Sequence, residues 1–301
     1  MIKEKIQKLK KEKNAVILSH YYVNDDVQEI ADYTGDSFYL SKVAKETDAK
    51  IIVFCGVKFM GESALILNPD KKVLLPHGNA DCPMAHMVKK EKIEEMRKTY
   101  PDLCVVCYIN STADIKCLSD VCVTSSNAVD IVKKLSAKNI FFIPDGNLGR
   151  YVKEQVKDKN IILNDGYCPI HAAITKDDVA KAKEKYRGAK FLVHPECAKV
   201  VTDEADFVGS TKDIIDFAKN DSCMEYIIGT EIGVFYELKK ENREKSFYPV
   251  KENQICPDMK YITLENVLKC LEEEITEVTL SRATIEKAKK PLDLMLEIAK
   301  K

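Results

Sequence analysis

The chain has 301 residues and repeats itself about every 87 of them, and this constrains its fold more than any other feature. Apolar, β-rich runs stand at "AVILSH" (15–20), "CVVCYIN" (104–110) and "KFLVHPE" (190–196). A second series is "YTGDS" (33–37), "CVTSS" (122–126) and "FVGST" (207–211). A third is "KIIVFCG" (50–56), "NIFFIPDG" (139–146) and "EYIIGTEIG" (225–233). The fourth is "KVLLPHGNADCPM" (72–84), "NIILNDGYCPI" (160–170) and "SFYPVKENQICPD" (246–258). Ser37 and Ser125 are 88 positions apart, Cys82 and Cys168 are 86, and Cys168 and Cys256 are 88. Four series in one order and one phase mark three copies of a unit. The unit is longer than a solenoid repeat and about the size of a small domain.

Each copy alternates short apolar runs with helical patterns. The runs fit buried parallel strands. The stretches "SFYLSKVAKET" (37–47), "SNAVDIVKKLSA" (126–137) and "STKDIIDFAKN" (210–220) read as helices, each opened by a serine as N-cap. Such alternation implies a parallel sheet covered by helices. The expected fold is α/β. It has three homologous Rossmann-like units, each with a parallel sheet of about four strands, around a pseudo-threefold axis with a central active site. The units are expected at 1–87, 88–172 and 173–258. One or two helices should follow in 259–301, with Pro291 near the start of the last apolar stretch.

Composition narrows the function classes. The 47 basic and 48 acidic side chains nearly cancel, so no charge excess points to nucleic acid. No apolar run is long enough to span a membrane. The apolar stretch "AVIL" near the start is too short for a signal peptide, which makes the cytoplasm the expected location. Eleven cysteines, an odd number without an export signal, argue against a disulfide framework.

Ligands of α/β sheets bind beyond the carboxyl ends of the strands. His20 and Tyr22 follow one strand signal, Tyr108 and Asn110 the next, His194 and Glu196 the third. Three such edges around an axis would share one cavity. The Cys-Pro series then brings Cys82, Cys168 and Cys256 together as three equivalent thiolates around one metal centre. They suit a [4Fe–4S] cluster with one iron free of protein ligands, which acts as a Lewis acid. Zinc held by the three thiolates and water, or by the thiolates with His171 or His86, meets the same spacing. Cys104 and Cys107 form a C-x-x-C inside a strand run. Period two turns them to opposite faces, so they read as core thiols, as do Cys55, Cys122 and Cys223. Ser37, Ser125 and Thr211 stand where strand gives way to helix, at N-termini that favour phosphate or carboxylate. His20, His194 and Glu196 offer an acid, a base and an anion contact.

The motifs "SHYYV", "IADYTGDS", "DCPM", "YINSTADIK", "TSSNAV", "PDGNLG", "CPIH", "HPEC", "ADFVGST" and "GTEIG" run in order over nearly the whole chain. With them the sequence resembles the quinolinate synthases, iron–sulfur enzymes of de novo NAD biosynthesis. The resemblance implies a [4Fe–4S] cluster on Cys82, Cys168 and Cys256. It implies a transferase that condenses iminoaspartate with dihydroxyacetone phosphate to give quinolinate, phosphate and water. An iminoaspartate-producing enzyme, aspartate oxidase or aspartate dehydrogenase, would be the functional partner. Substrate-binding positions carry over to His20, Ser37, Tyr108, Asn110, Ser125, His194, Glu196 and Thr211, and Tyr22 matches a tyrosine implicated in catalysis. On these grounds Glu196 is the expected general base, with His194 beside it and Tyr22, His20 and Tyr108 around the triose-derived part. The competing readings are another [4Fe–4S] hydro-lyase, a redox carrier and a structural metal-binding protein.

Overall fold

The computed structural model describes residues 1–300. Three four-stranded sheets follow one another along the chain, and every strand pair is parallel. The first sheet holds β1 (Ala15–His20), β2 (Tyr33–Gly35), β3 (Ile51–Cys55) and β4 (Lys72–Leu74). The second holds β5 (Cys104–Tyr108), β6 (Val121–Val123), β7 (Asn139–Ile143) and β8 (Asn160–Leu163). The third holds β9 (Lys190–Val193), β10 (Phe207–Val208), β11 (Glu225–Gly229) and β12 (Ser246–Pro249). All three share one order, with the second strand at one edge, then the first, the third and the fourth. The repeat in sequence is therefore a repeat in topology.

The two central strands of each sheet are the Ile- and Val-rich runs. β3 is buried along its whole length, and β5, β7 and β11 are buried at all but their first residue. Covered on both faces, such strands need no polar alternation. One further device recurs in each unit. The backbone N–H of Ile17, Val105 and Phe191 donates to the carboxylate of Asp32, Asp120 and Asp206 at 2.8, 2.7 and 2.7 Å. Each aspartate lies 15 residues downstream, just ahead of the edge strand, and pins that strand's entry to the central one.

The expected serine caps hold in one unit only. Helix Thr211–Asn220 is capped by Ser210, which forms a capping box with Asp213. Helix Ser37–Glu46 is capped by Asp36, whose carboxylate accepts the Tyr39 N–H at 2.8 Å, so Ser37 is its first helical residue. Helix Ala128–Lys134 begins later than expected, and Asn127 at its cap position makes no side-chain bond to it. In the first unit the carboxylate of Asp36, one residue earlier, takes the cap position and accepts a free N–H there.

Helices Leu264–Glu273 and Arg282–Ile298 complete the fold, and Pro291 lies inside the second. Leu264–Glu273 packs on helix Ile2–Glu12 and on β3. Arg282–Ile298 packs on helix Lys58–Leu67 of the first unit and on β6 and helix Ala113–Lys116 of the second. The first two units and these helices share one continuous core, whereas the third sheet is packed by two separate clusters of its own. No helix among the described residues is long and apolar enough to cross a membrane.

Candidate active site

The carboxyl ends of the three sheets face one cavity. Its walls include His20, Tyr22 and Ser37 from the first unit, Tyr108, Asn110 and Ser125 from the second, and His194, Glu196 and Thr211 from the third. Cys82, Cys168 and Cys256 line the same space. All twelve residues singled out from the sequence thus meet in one place. The cysteines outside this set lie elsewhere. Cys107 and Cys122 face each other on β5 and β6 in the core, and Cys55 and Cys270 are buried too.

The three cysteines are held alike. Each is the N-cap residue of a short helical turn that starts with proline, namely Pro83–His86, Pro169–Ala172 and Pro257–Lys260. Backbone N–H groups two and three residues on point at the sulfur: Met84 and Ala85, Ile170 and His171, Asp258 and Met259. The turn ahead of each cysteine is tied to the third strand of its sheet. Backbone N–H groups of Lys58, Gly146 and Ile232 donate to the carbonyls of Ala80, Gly166 and Gln254, each two residues before the cysteine. A carboxylate accepts each cysteine's own N–H: Asp81 at 2.8 Å, Asp145 at 3.1 Å and Glu231 at 3.0 Å. Burial pushes all three thiols up, Cys256 to about 11, and repulsion between neighbouring thiols adds to this for Cys82 and Cys168.

These donors fit a multi-iron centre better than one ion. The ligand atoms of a single tetrahedral ion lie close together. Among the described residues the three thiols do not close to within 4.8 Å of one another, whereas Cys168, His171 and Glu196 do. A cluster spreads its ligands more widely and uses thiolates alone. His86, weighed as a fourth donor, is exposed and pairs with Asp81 at 2.9 Å. His171 is taken up by other partners. Its Nδ1 lies 2.7 Å from Glu196 Oε2 and 3.1 Å from Cys168 Sγ, and its Nε2 lies 2.8 Å from Thr230 Oγ1.

The titratable groups have defined states. Glu196 is 2% exposed. Burial would raise its pKa, but the imidazoles of His194 and His171 more than offset that and hold it below the ordinary carboxylate range. It is therefore a carboxylate at neutral pH, the form a base needs. His20 and His194 are both pushed down to about 3 by burial, so their rings are neutral. Each accepts at Nδ1 the backbone N–H two residues on, from Tyr22 at 3.2 Å and from Glu196 at 3.3 Å. The network assigns the proton of each ring to Nε2, which makes both histidines neutral N–H donors rather than imidazolium acids.

A hydroxyl chain completes the site. Tyr22 Oη lies 2.6 Å from Thr211 Oγ1 and 2.8 Å from Thr230 Oγ1, and Thr230 reaches His171. Two buried acceptors at the cavity, Glu196 Oε1 and Asn110 Oδ1, have no protein donor. Sequence reasoning did not single out Thr230, Glu231, Asp145 or Asp81. The sequence offers His171 only as a possible zinc ligand, whereas its ring joins Cys168, Glu196 and Thr230.

Known proteins match this arrangement. The family described as Quinolinate synthetase A protein matches residues 4–297. A quinolinate synthase from Caldicellulosiruptor bescii is 54% identical over 298 residues, covering 99% of this chain and 98% of that protein. Quinolinate synthases from Fusobacterium nucleatum and Clostridioides difficile are 50% and 48% identical, covering 99% and 98% of this chain and 99% and 97% of theirs. The repeat, the shared cavity and a match along almost the entire length lead to one conclusion: the chain belongs to the quinolinate synthetase A family.

Proposed function

We propose that this quinolinate synthase condenses iminoaspartate with dihydroxyacetone phosphate in the central cavity, and that Cys82, Cys168 and Cys256 hold a [4Fe–4S] cluster there. The observation that carries the reading is that the three cysteines and the strand-end residues of all three units line one cavity. When bound, such a cluster supplies a Lewis acid that eases loss of water from the reacting species.

The chain's own residues do the rest. Ser37, Ser125 and Thr211, with the backbone N–H groups beside them, hold carboxylate or phosphate. His20 and His194 donate from Nε2 to substrate oxygens. Asn110 Oδ1 and Glu196 Oε1, which lack protein donors, receive N–H or O–H groups of the substrates. Glu196 is the general base for the proton shifts. Tyr22 and Tyr108 shape the side that takes the triose. Closure of these groups around the substrates excludes water.

The same reading places the protein in the cytoplasm, working with an enzyme that supplies iminoaspartate. It divides the chain at 87/88, 172/173 and 258/259, one sheet to each unit. A purely structural metal site is disfavoured because it would leave the two unpaired buried acceptors unexplained. Anaerobic purification with iron and sulfide analysis tests the reading. About four irons per chain, quinolinate formation, and retained iron but lost turnover in Glu196→Gln are expected. A colourless zinc protein from that preparation would sink the cluster, and near-normal turnover in Glu196→Gln would remove Glu196 from the base role.

A further inference from the structure

Glu231 stands two positions beyond the third strand of its sheet, where the other units have Val57 and Asp145. Asp145 and Glu231 do the same local work, each accepting the backbone N–H of its unit's cysteine. Asp145 does so with no lysine or arginine paired to it among the described residues. Glu231 is different: Lys260 Nζ lies 3.1 Å from its Oε1. Lys260 is four residues after Cys256, and the matching positions after Cys82 and Cys168 hold His86 and Ala172. Holding a cysteine amide therefore does not require the lysine.

The lysine makes a second contact that the other units lack. Its Nζ donates to the backbone carbonyl of Tyr22, in the first unit, at 2.6 Å. The Tyr22 N–H donates in turn to His20 Nδ1. An unbroken path thus runs from the Cys256 amide through Glu231 and Lys260 to Tyr22 and on to His20. Glu231 is 1% exposed and Lys260 only partly exposed, so the ion pair is shielded from solvent and geometrically fixed.

We propose that Lys260, with Glu231, is a positioning residue that sets His20 and Tyr22 relative to the Cys256 loop. Lys260 does not line the cavity, and Glu231, which borders it, spends its carboxylate on the Gly233 and Cys256 N–H groups and on Lys260. The two residues fix the separation between the side of the cavity that takes the triose phosphate and the side that carries the cysteines. The inference rests on the function proposed above and deepens it. The comparison between units isolates this role: of the carboxylates that hold a cysteine amide, only Glu231 carries a lysine, and that lysine is the group that reaches Tyr22.

Lys260→Met tests it, with Lys260→Arg as the conservative variant and the exposed Lys269→Met as control. The readouts are iron per chain, the change in the absorption spectrum on adding quinolinate, and KM for dihydroxyacetone phosphate separately from kcat. Lys260→Met should keep its iron while kcat/KM for the triose phosphate falls on the order of 10- to 100-fold. The quinolinate-induced spectral change should weaken, and Lys260→Arg should recover part of both. A merely stabilising lysine would lower the melting temperature and leave KM and the spectrum alone. Kinetics within about twofold of the parent overturn the inference, and so does loss of iron in Lys260→Met, which would assign the lysine to retaining the cluster. A parent chain that binds no iron or forms no quinolinate would instead defeat the underlying function, so the two failures are distinct.

Discussion

His171 Nδ1 lies 2.7 Å from Glu196 Oε2, and the two residues come from different units. The positions equivalent to His171, three after Cys82 and Cys256, are Ala85 and Met259. Only the middle copy thus places an imidazole beside its cysteine. The ring's Nδ1 faces the carboxylate, its Nε2 lies 2.8 Å from the Thr230 hydroxyl, and Thr230 continues to Tyr22. Five side chains, Thr211, Tyr22, Thr230, His171 and Glu196, form one hydrogen-bonded line across the cavity.

His171→Ala breaks that line next to Glu196, the proposed base. Glu196 and Thr230 each lose their contact with the ring. Turnover should fall about 10- to 100-fold with iron retained. Steady-state kinetics with iron analysis measure it, and unchanged kcat would show that Glu196 is oriented without the imidazole.

At Gly233 the backbone of the third unit runs close against the backbone of Tyr21 and Tyr22. A Cβ there would stand 2.7 Å from the Tyr21 carbonyl oxygen and from Tyr22 Cα, both backbone atoms that cannot swing aside. Gly233→Ala should push the Tyr22 segment away, with activity falling on the order of 10- to 100-fold and iron content unchanged. Full activity in this variant would mean that the segment has slack.

The histidines predict a pH dependence of stability. Folded, His20 and His194 take up no proton until about pH 3, because burial disfavours the charged rings. Unfolded, each binds one near 6.5. The unfolded chain therefore binds more protons between those values, and stability falls as pH drops from about 6.5 toward 3, with no contribution above 6.5. The slope is at most about 1.4 kcal/mol per pH unit for each ring. Urea midpoints of iron-free chain between about pH 5 and 7 should show the slope, and the His20→Gln/His194→Gln chain should lose it. An identical slope in that chain would mean that other groups carry it.

Iron removal should separate chemistry from folding. The sheets are packed by apolar clusters, and Cys82, Cys168 and Cys256 only pack against one of them from partly buried positions. Chelation under reducing conditions should abolish quinolinate formation while the far-ultraviolet circular dichroism stays near that of the loaded protein. Iron and sulfide should then restore activity. Collapse of the dichroism on chelation would make the metal a folding element as well.

The sequence made legible whatever the repeat states three times. Strands, their order and the three cysteines recur with the same spacing, so each copy supports the others. Asp32, Asp120 and Asp206 were equally visible, at intervals of 88 and 86, but only their hydrogen bonds give them meaning. The residues that escaped notice break the repeat. Thr230 and Lys260 bond to partners in another copy, as does His171, which the sequence offers only as a possible metal ligand, and no pattern within one unit announces a contact that depends on how units dock. The helix starts were misread for a simpler reason: a carboxylate at Asp36 outcompetes the hydroxyl beside it.

The position of helix Arg282–Ile298 bears on the timing of synthesis. It packs between the first and second units, yet it is translated after all three sheets. Cys256, the last of the three thiols, emerges only shortly before it. The nascent chain therefore carries two of the three thiols on units whose joint core still lacks its closing helix. The three-cysteine site proposed above cannot be completed before residue 256 has been made, and a chain stalled before it has no complete site to load.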